Sequence, residues 1–415
     1  MAWSQISGAL EVNCTMLLKF DKISRPVDLV GMETVPPAFG SVFRYWPMRP
    51  IPEDAAAEPL IRVTPEGETF WLEAPWLDER PRYTDAVNLA CGLAVHINHA
   101  MLMDRPDFIC LHGAGVEVDG RLVVFPNAYR AGKSLLTACL AAAGARIFSD
   151  DILPIDCSSN CGVALGVSPR LRLPLPETAG RRSRQFIEEH AGATNPQYLY
   201  LELDQARQAP LGEQSPFAGF VLLERRKDSP AMLEPVSDGE ALKQLVLRNF
   251  ARQISAGESL DYLHGLVTSG VCYKLTYSVG DAAADVLMAR FTDHAALARD
   301  VKAKAAGDPQ LAPIEAKVGG VVRHICRHPD IGERLVGGDV FLTDSAGEAI
   351  YHLNLIGAGV WRLMDGHCSV DEAKSLMHMA FPDVAPENID RDMDRLLLDL
   401  MDQGLLINPE KALFA

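Results

Sequence analysis

The stretch VVFPNAYRAGKSLLTACL, residues 123–140, decides the fold, because it joins an apolar strand to an apolar helix through a loop that ends in Gly132-Lys133-Ser134. A phosphate-binding loop works through backbone N–H groups that point into a concavity, the positive end of the following helix, and a lysine that reaches the outer phosphates. The strand before the loop and the helix after it are the context that such a motif requires. The stretch therefore predicts a nucleotide-binding loop in an α/β fold.

The front of this loop departs from the GxxxxGK[ST] pattern. Asn127 stands in the place of the first glycine, and Tyr129 and Arg130 occupy positions that usually hold small residues. Bulky side chains can be accommodated if they point outward, since the backbone forms the cradle, and Arg130 could add positive charge. Asn is also the residue that best replaces glycine where φ is positive. A coincidental match stays open as the alternative to a working phosphate loop.

Two acidic residues end the next apolar strand, ARIFSDD at residues 145–151. At that position a carboxylate can meet the Mg²⁺ that the hydroxyl of Ser134 would ligate. Because the two acids are adjacent, Asp150 can face the metal while Asp151 acts as base toward an acceptor hydroxyl. The alternative is a strand-end turn followed by a solvated acidic pair.

A predicted β-hairpin precedes the loop in DFICLHGAGVEVDGRLVVFP, residues 107–126. Two β-rich runs flank Asp119-Gly120, a dipeptide favoured in two-residue type I′ turns because both central residues need a positive φ. His112 lies on the first of these strands, so we expect it close to the loop and to the acidic pair. A histidine there could handle protons, with a purely structural role as the alternative.

These motifs together resemble HPr kinase/phosphorylase and its relatives, which share a nucleotide fold with ATP-dependent phosphoenolpyruvate (PEP) carboxykinase. The resemblance rests on the order and spacing of His112-Gly113, the hairpin, AGKS at 131–134 and SDD at 149–151. It covers about residues 85–290 and looks closest to the HPr-kinase-related proteins encoded beside peptide-modification genes.

The resemblance implies roles for individual residues. Asp151, His112 and Lys133 would be catalytic, and Ser134 with Asp150 would hold the Mg²⁺ of an ATP complex. The nucleotide would be bound by the loop residues Asn127, Ala128, Tyr129, Arg130, Ala131, Gly132, Lys133, Ser134 and Leu135.

The family's second signature, for acceptor binding, is not recognisable in this chain. SPRLRLPLP at 168–176 places Arg170 and Arg172 on one side of an extended stretch, since alternate residues of a strand share a face. We interpret the two arginines as a candidate contact to phosphate or acceptor, with a solvated strand edge as the alternative.

The C-terminal segment is similar to PqqD, the small winged-helix protein that holds leader peptides of ribosomally made, modified peptides. The similarity covers about residues 318–410, and its most specific run extends from Leu353 through Trp361 to Gly404-Leu405-Leu406. In such a module an exposed hairpin edge can accept a peptide as an added strand, while the last helix lines a groove for apolar anchors. A DNA-binding winged helix is the alternative, which the acidic helix DRDMDRLLLDLMDQ disfavours.

The predicted fold class is α/β: a PEP carboxykinase/HPr kinase-like P-loop domain with a mixed sheet, plus a C-terminal winged-helix (PqqD-like) domain. A chain of 415 residues is long enough for two to three domains. We predict an N-terminal α/β region packed on the kinase at 1–84, the P-loop domain at 85–300, a linker rich in Ala, Lys and Pro at 301–317, and the peptide-binding domain at 318–415.

Composition and charge restrict the partners. The formal net charge of −16 disfavours nucleic acid, because binding to a phosphate backbone needs a basic face. No apolar run of about 18 residues predicts a membrane span, and the N-terminal sequence lacks the pattern of a secretory signal. We therefore expect no membrane partner and a cytoplasmic location, with the nine cysteines reduced.

Two places suggest a metal site at first sight. Cys157 and Cys161 form a CxxxC pair, and HICRH contains His324, Cys326 and His328. The first has no second pair nearby, and the second alternates along a predicted strand, so we interpret both as structural.

The combined prediction is a cytoplasmic ATP-dependent kinase in ribosomal peptide modification. It would capture a precursor or leader peptide, or a small protein, through the C-terminal module and phosphorylate a hydroxyl, with serine as the expected acceptor. ATP and Mg²⁺ are the expected cofactors, and the chain could form a homo-oligomer. Two alternatives stay open: a catalytically degenerate nucleotide-binding scaffold that presents a peptide to other modifying enzymes, and a metabolite kinase or carboxykinase-like enzyme.

Overall fold

The computed structural model describes residues 15–52, 58–126, 131–249, 254–307, 325–364 and 368–408. Over this part of the chain the architecture is mixed α/β, with several sheets and eleven α-helices, so the predicted class is confirmed. The chain divides into two compact units. Unit 1 comprises residues 1–218, 223–233 and 275–292, and unit 2 comprises residues 219–222, 234–274 and 293–415.

Unit 1 begins with a sheet of six described strands. They are β1 (Thr15–Phe20), β2 (Val27–Val30), β3 (Met48–Ile51), β4 (Ile61–Glu66), β5 (Thr69–Glu73) and β6 (Arg82–Tyr83). Their order is β3-β1-β2-β4-β5-β6, and β2 pairs with β4 in parallel while the other neighbours are antiparallel. Helices α1 (Pro37–Val42) and α2 (Ala86–Met103) share one buried apolar cluster with this sheet.

Helix α2 begins after an N-cap formed by Asp85. The carboxylate of Asp85 accepts hydrogen bonds of 2.9 Å from the amides of Val87 and Asn88, which satisfies N–H groups that have no partner within the helix. Leu93 and Ile97 on its inner face are fully buried. This burial fixes α2 against the sheet.

Among the described residues, α2 is also the one helix long and apolar enough to cross a membrane. Half of this helix is buried inside the protein, as in the core helix of a folded domain. The sequence analysis missed this stretch because polar residues, His96 and Asn98 among them, interrupt its apolar run.

A second sheet, of nine described strands, carries the phosphate loop. They are β7 (Phe108–His112), β8 (Ala114–Val118), β9 (Arg121–Phe125), β10 (Arg146–Ser149), β11 (Ile152–Asp156), β12 (Cys161–Val163), β16 (Gln214–Arg225), β17 (Met232–Pro235) and β18 (Val271–Tyr277). The order along the sheet is β10-β8-β9-β16-β12-β11-β7, with β18 paired to β16 and β17 paired to β18.

The predicted hairpin is formed by β8 and β9, which pair in antiparallel register. Asp119 and Gly120 connect them with φ values of 50° and 73°, as a type I′ turn requires. The conformational preference of Asp119-Gly120 therefore determines where the chain turns between β8 and β9.

His112 does not lie on the hairpin, which corrects the sequence prediction. The first β-rich run splits at Gly113 into β7 and β8, and β7 pairs with β11, so that His112 stands opposite Ile152. The amide of Gly113 continues this pairing by donating to the carbonyl of Asp151 at 2.9 Å. The histidine reaches the acidic pair through β11 rather than through the hairpin, because the backbone of β7 finds its partners there.

The loop is followed by helix α3 (Lys133–Ala142), and Gly144 beyond its end has a φ of 110°, as expected at the C′ position. Beside α3 lies a small sheet of β13 (Arg170–Arg172), β15 (Tyr198–Leu201) and β14 (Ala191–Thr194), in that order. One buried cluster joins α3 to this sheet. Two further helices complete unit 1, α4 (Arg181–Glu189) and α7 (Gly280–Thr292).

Unit 2 contains the predicted C-terminal hairpin and its three helices. The hairpin is β21 (Asp339–Thr343) and β22 (Ile350–Leu353), and β20 (Gly332–Val336) adds a third strand in the order β20-β21-β22. The helices are α9 (Leu355–Leu363), α10 (Val370–Ala380) and α11 (Pro386–Asp402). The remaining elements are α5 (Asp238–Val246), α6 (Ala256–Ser269), α8 (His294–Gly307), β19 (Cys326–Arg327) and β23 (Leu406–Ile407).

The three-stranded sheet of unit 2 is covered on both faces. Val340 and Leu342 point to the face that packs against α9, α10 and α11. Phe341 points to the opposite face, in register with Arg334, and is fully buried. Arg334 forms an ion pair with Asp261 of α6, which places this helix over the second face.

The compact units divide the chain differently from the predicted domains. Residues 234–274 were assigned to the P-loop domain, but they belong to unit 2, because α6 packs on the second face of its sheet. The predicted linker 301–317 begins inside α8, and its residues 308–317 lie outside the described part of the chain.

Candidate active site

Gly132 forms the turn into α3. Its φ of 94° lies in the left-handed region, where a side chain is strained. A Cβ at this position would also stand 3.0 Å from Cδ of Arg225 and 3.2 Å from the hydroxyl of Tyr277. Glycine is therefore required on both conformational and steric grounds. The four preceding residues, 127–130, lie outside the described part of the chain, so their nucleotide contacts stay predictions.

Lys133 and Ser134 occupy the first turn of α3. Lys133 is only 7% exposed, and its positive charge acts on the carboxylate of Asp151. The hydroxyl of Ser134 acts to lower the pKa of the Asp150 carboxyl, which places the two side chains near each other. The helix start and the end of β10 thus meet, as the phosphate-loop interpretation requires.

Asp150 and Asp151 follow β10 and point to different partners. The carboxylate of Asp150 is buried and accepts a hydrogen bond of 3.2 Å from the amide of Arg170. Asp151 is more open, with 42% of its side chain exposed. The alternative of a solvated acidic pair is wrong for Asp150, since the start of β13 covers it.

His112 is the closest titratable partner of Asp151. Its Nε2 lies 3.1 Å from Oδ1 of Asp151, which is ion-pair distance when the imidazole is protonated. The N–H direction does not meet the geometry of a straight hydrogen bond, although Nε2 itself is buried. The contact is therefore mainly electrostatic.

The two adjacent carboxyl groups are shifted in opposite directions. Burial raises the pKa of Asp150 to about 6, and the negative charge of Asp151 adds to the rise. Burial also acts to raise the pKa of Asp151, but the nearby His112, Arg170 and Lys133 outweigh it, and the pKa of Asp151 is lowered. Neighbouring acids with separated pKa values are the usual arrangement when two carboxyl groups have different chemical roles.

Arg170 belongs to this site, so the solvated-edge alternative is wrong for it. Its guanidinium lies 3.5 Å from Oδ2 of Asp151 and stacks over the ring of Tyr198 at 4.8 Å. Arg172 is exposed, with its guanidinium 5.8 Å from the same ring. Arg170 therefore holds the acidic pair in place, while Arg172 lies at the pocket rim.

These groups surround one open pocket of about 390 Å³. Cationic side chains outnumber acidic ones around it, in a chain whose net charge is −16. The pocket therefore favours an anionic ligand. Its lining residues are His112, Ala131, Gly132, Lys133, Ser134, Leu135, Asp151, Arg170, Leu171, Arg172, Leu175, Pro176 and Arg225.

Arg225 is the charged lining residue that the sequence analysis did not single out. It ends β16, far from the phosphate loop in sequence. The only sequence signal was a pair of arginines closing the apolar run FAGFVLLERR, and nothing in its spacing relates it to Gly132. Pairing of β16 within the nine-stranded sheet brings it to the loop.

The two possible metal positions remain structural in our interpretation. Among the described residues, no group of three or more His, Cys, Asp or Glu side chains is arranged to hold a metal ion. Cys157 and Cys161 belong to this part of the chain, as do Cys326 and His328, whereas His324 lies outside it.

A second candidate site is an apolar groove in unit 2, with a volume of about 590 Å³. Its walls come from α9, α10, α11 and the connection between the last two. Ile356 of α9 is 51% exposed, and Val384 of that connection is 44% exposed. At one end lie His352 and Leu353 of β22, an edge strand of the described sheet. Lys243 of α5 also lines the groove. An edge strand beside an apolar groove is the arrangement that binds extended peptides.

Comparison with known families bears on this second site. Residues 339–406 match the family model of PqqD, described as Coenzyme PQQ synthesis protein D. Residues 339–406 form a PqqD-like domain. The predicted C-terminal resemblance is thus confirmed, over a shorter range than the predicted 318–410. The PqqD-like domain contains the hairpin and all three helices of the groove, but not α5 or α6.

Among solved structures, the chain is similar to one described as the Hpr(Ser) kinase/phosphatase from Coxiella burnetii. The two are 12% identical, the match covers 48% of this chain and 99% of that chain, and the TM-score is 0.23. The predicted resemblance to HPr kinase is found again here, but at this TM-score it carries no argument about the site, which rests on the distances above. No curated protein matches the chain.

Proposed function

We propose that this chain is an ATP-dependent cytoplasmic kinase that phosphorylates a hydroxyl, with serine as the expected acceptor, on a peptide held by its PqqD-like domain. The observation that supports this most is the convergence of Lys133, Ser134, Asp151 and His112 around one pocket, with Asp150 buried behind it. They come from separate strands and a helix start, and their types are those that phosphoryl transfer uses.

The residues present fit a nucleotide with Mg²⁺. Gly132 forms the left-handed turn into α3, and the positive N-terminal end of this helix lines the pocket. Burial raises the pKa of Asp150 to about 6, so a cation beside this residue would stabilise its carboxylate, and the hydroxyl of Ser134 acts in the same direction. Mg²⁺, when bound by these two residues, would neutralise charge on the phosphates.

The chain's own residues would then perform the remaining tasks. Lys133 would hold the outer phosphates, and Asp151 would accept the proton of the acceptor hydroxyl as its oxygen bonds to phosphorus and ADP leaves. His112 and Arg170 keep Asp151 ionised and oriented for this step. Such catalysis is mainly positioning and charge stabilisation, so it needs few residues.

The PqqD-like domain would supply the acceptor. An extended peptide could pair with the free edge of β22 and place apolar side chains in the groove beside Ile356. A precursor or leader peptide fits this mode of binding, because the affinity comes from backbone pairing and a few apolar anchors.

The assignment is tested by Lys133→Ala, assayed by transfer of labelled phosphate from ATP with Mg²⁺ to a library of serine-containing peptides. We expect a loss of about 100-fold or more, since a charge that stabilises the transition state is removed. Lys227→Ala, at an exposed position outside the pocket, is the matched control and should retain activity. Unchanged transfer by Lys133→Ala would refute the kinase assignment.

A nucleotide-binding scaffold without catalysis is the second candidate, favoured by the replacement of the first loop glycine by Asn127. Calorimetry with a non-hydrolysable ATP analogue separates the two. Binding together with phosphoryl transfer supports the kinase. Binding without transfer supports a degenerate scaffold.

A metabolite kinase is distinguished by its independence from the peptide groove. Deleting residues 310–415 would be a poor test, because it would remove the sheet face on which α6 packs. A substitution in the groove is a better test. If Ile356→Glu leaves phosphorylation of a small acceptor unchanged, the result favours a metabolite kinase.

A further inference from the structure

We infer that Arg225, anchored by Thr178, forms a second cationic contact for the phosphate chain of the nucleotide, separate from the phosphate-loop motif. This inference rests on the proposed function, because it assigns an additional binding residue to the same pocket. Neither the motif nor the family comparisons identify this arginine.

Arg225 lies directly over the turn that opens α3. Its Cδ is 3.0 Å from the position that a Cβ on Gly132 would take, and its side chain lines the pocket together with Lys133. The phosphate-binding amides of such a loop belong to this turn and to the residues after it. An anion bound there would therefore lie within reach of the Arg225 guanidinium.

The guanidinium is held in place by the polypeptide. Its Nη2 donates a hydrogen bond of 2.5 Å to Oγ1 of Thr178, in the short 3-10 turn Glu177–Ala179. This bond uses one of several N–H donors of the planar group, so others can donate to phosphate oxygens. Thr178 acts as a positioning residue, since its hydrogen bond fixes the orientation of the guanidinium before a ligand binds.

The charge arrangement also favours this role for Arg225. Arg170 is engaged by Asp151 and by the ring of Tyr198, so its charge is already partly balanced. Among the ion pairs between described residues, none involves Arg225. An exposed guanidinium without a carboxylate partner, at the mouth of a cationic pocket, is suited to bidentate contact with phosphate.

The experiment measures calorimetric binding of AMP-PNP with Mg²⁺, and of adenosine alone, to the full chain and its variants. For Arg225→Met we expect AMP-PNP binding to weaken about tenfold or more, as for a lost charge-assisted hydrogen bond, with adenosine binding unchanged. Arg226→Met is the matched control, because Arg226 pairs with Glu224 and lies outside the pocket. It should bind both ligands like the natural chain.

Two further variants address folding and mechanism. Arg225→Lys keeps a point charge and should recover part of the AMP-PNP affinity, while Thr178→Val should weaken AMP-PNP binding less than Arg225→Met does. If the natural chain binds AMP-PNP and Arg225→Met binds it equally well, the inference is wrong and the proposed function stands. If the natural chain binds no nucleotide at millimolar concentration, both fail. An equal loss of AMP-PNP affinity in Arg226→Met would also overturn the inference, because the loss would then follow from the change in net charge and not from a contact made by Arg225.

Discussion

At the scale of single residues, Asp150 and Asp151 differ because of what each one faces. Asp150 is enclosed by the start of β13, so that burial dominates. Asp151 lies between His112 and Arg170, so that positive charge dominates. The two neighbours in sequence thus acquire different proton affinities from the fold.

The stability of the apo chain should report this difference with opposite signs. Between its ordinary pKa of 3.8 and about 6, Asp150 binds more protons when folded than when unfolded, so the free energy of unfolding falls as pH rises through this interval. Asp150→Asn should therefore raise the free energy of unfolding at pH 7 by about 1–3 kcal/mol, measured by denaturant unfolding without Mg²⁺.

Asp151→Asn is the internal control for that measurement. Its pKa is lowered in the folded state, so its ionised form contributes stability above the unfolded pKa, and this stability is lost as pH falls. At pH 7 the substitution should lower the free energy of unfolding. Shifts of the same sign in both variants would contradict the assigned environments.

Kinase activity should have an acidic limit set by Asp150. Protonation near pH 6 removes the carboxylate that would hold Mg²⁺, so the rate should fall as pH drops from 7 to 5. Raising the Mg²⁺ concentration should move this limit to lower pH, because metal binding competes with the proton. A pH profile of the rate at two Mg²⁺ concentrations measures the effect. If the acidic limit stays at the same pH at both concentrations, a group other than Asp150 sets it.

At the scale of elements, the groove is formed by apolar residues that helix packing leaves exposed. Val360 of α9 and Met393 of α11 are buried. Ile356 of α9, in contrast, lines the groove and is about half exposed. Exposed apolar residues grouped in a concave surface are typical of binding sites rather than of cores. The PqqD-like domain thus offers a binding surface beside its edge strand.

A charge in this groove should abolish peptide capture while leaving nucleotide binding intact. We expect Ile356→Glu to weaken binding of the acceptor peptide by about tenfold or more, since a carboxylate would have to be desolvated. Leu398→Glu is the control: Leu398 is 60% exposed on α11 but does not line the groove. Fluorescence anisotropy with a labelled peptide selected by the natural chain measures both, and equal losses would argue against the groove.

At the scale of the whole molecule, the compact unit that contains the PqqD-like domain extends beyond the range that the family model matches. Phe341 is fully buried on the sheet face that α6 covers, and α6 lies outside the matched range. The amide of Ala256, at the start of α6, also donates to the carbonyl of Gly347 in the β21–β22 turn at 2.8 Å. Residues 234–274 are therefore part of the compact unit that carries the groove.

A fragment of residues 318–415 should consequently be less stable than the same segment in the full chain. Removing α6 exposes Phe341, and losing burial of a phenylalanine side chain costs on the order of 3 kcal/mol. We expect the fragment to bind a hydrophobic dye, to self-associate on a sizing column, and to improve when residues 234–274 are co-expressed. A monomeric fragment that does not bind the dye would contradict this division of the chain.

The sequence by itself determined the local features: the hairpin turn at Asp119-Gly120, the Asp85 cap, the helix after the phosphate loop, and the hairpin with three helices at the C-terminus. Each depends on neighbouring residues, through turn conformation, capping or apolar periodicity. The sequence also specified the residue types of the site, but not their partners.

Only the tertiary structure decided which distant groups meet. Strand pairing placed His112 beside Asp151 through β11, brought Arg225 over Gly132 from the far end of β16, and enclosed Asp150. The packing of α6 on Phe341 likewise set the extent of unit 2. Such contacts depend on sheet order and burial, which residues far apart in sequence establish together, and no local pattern in the chain encodes them.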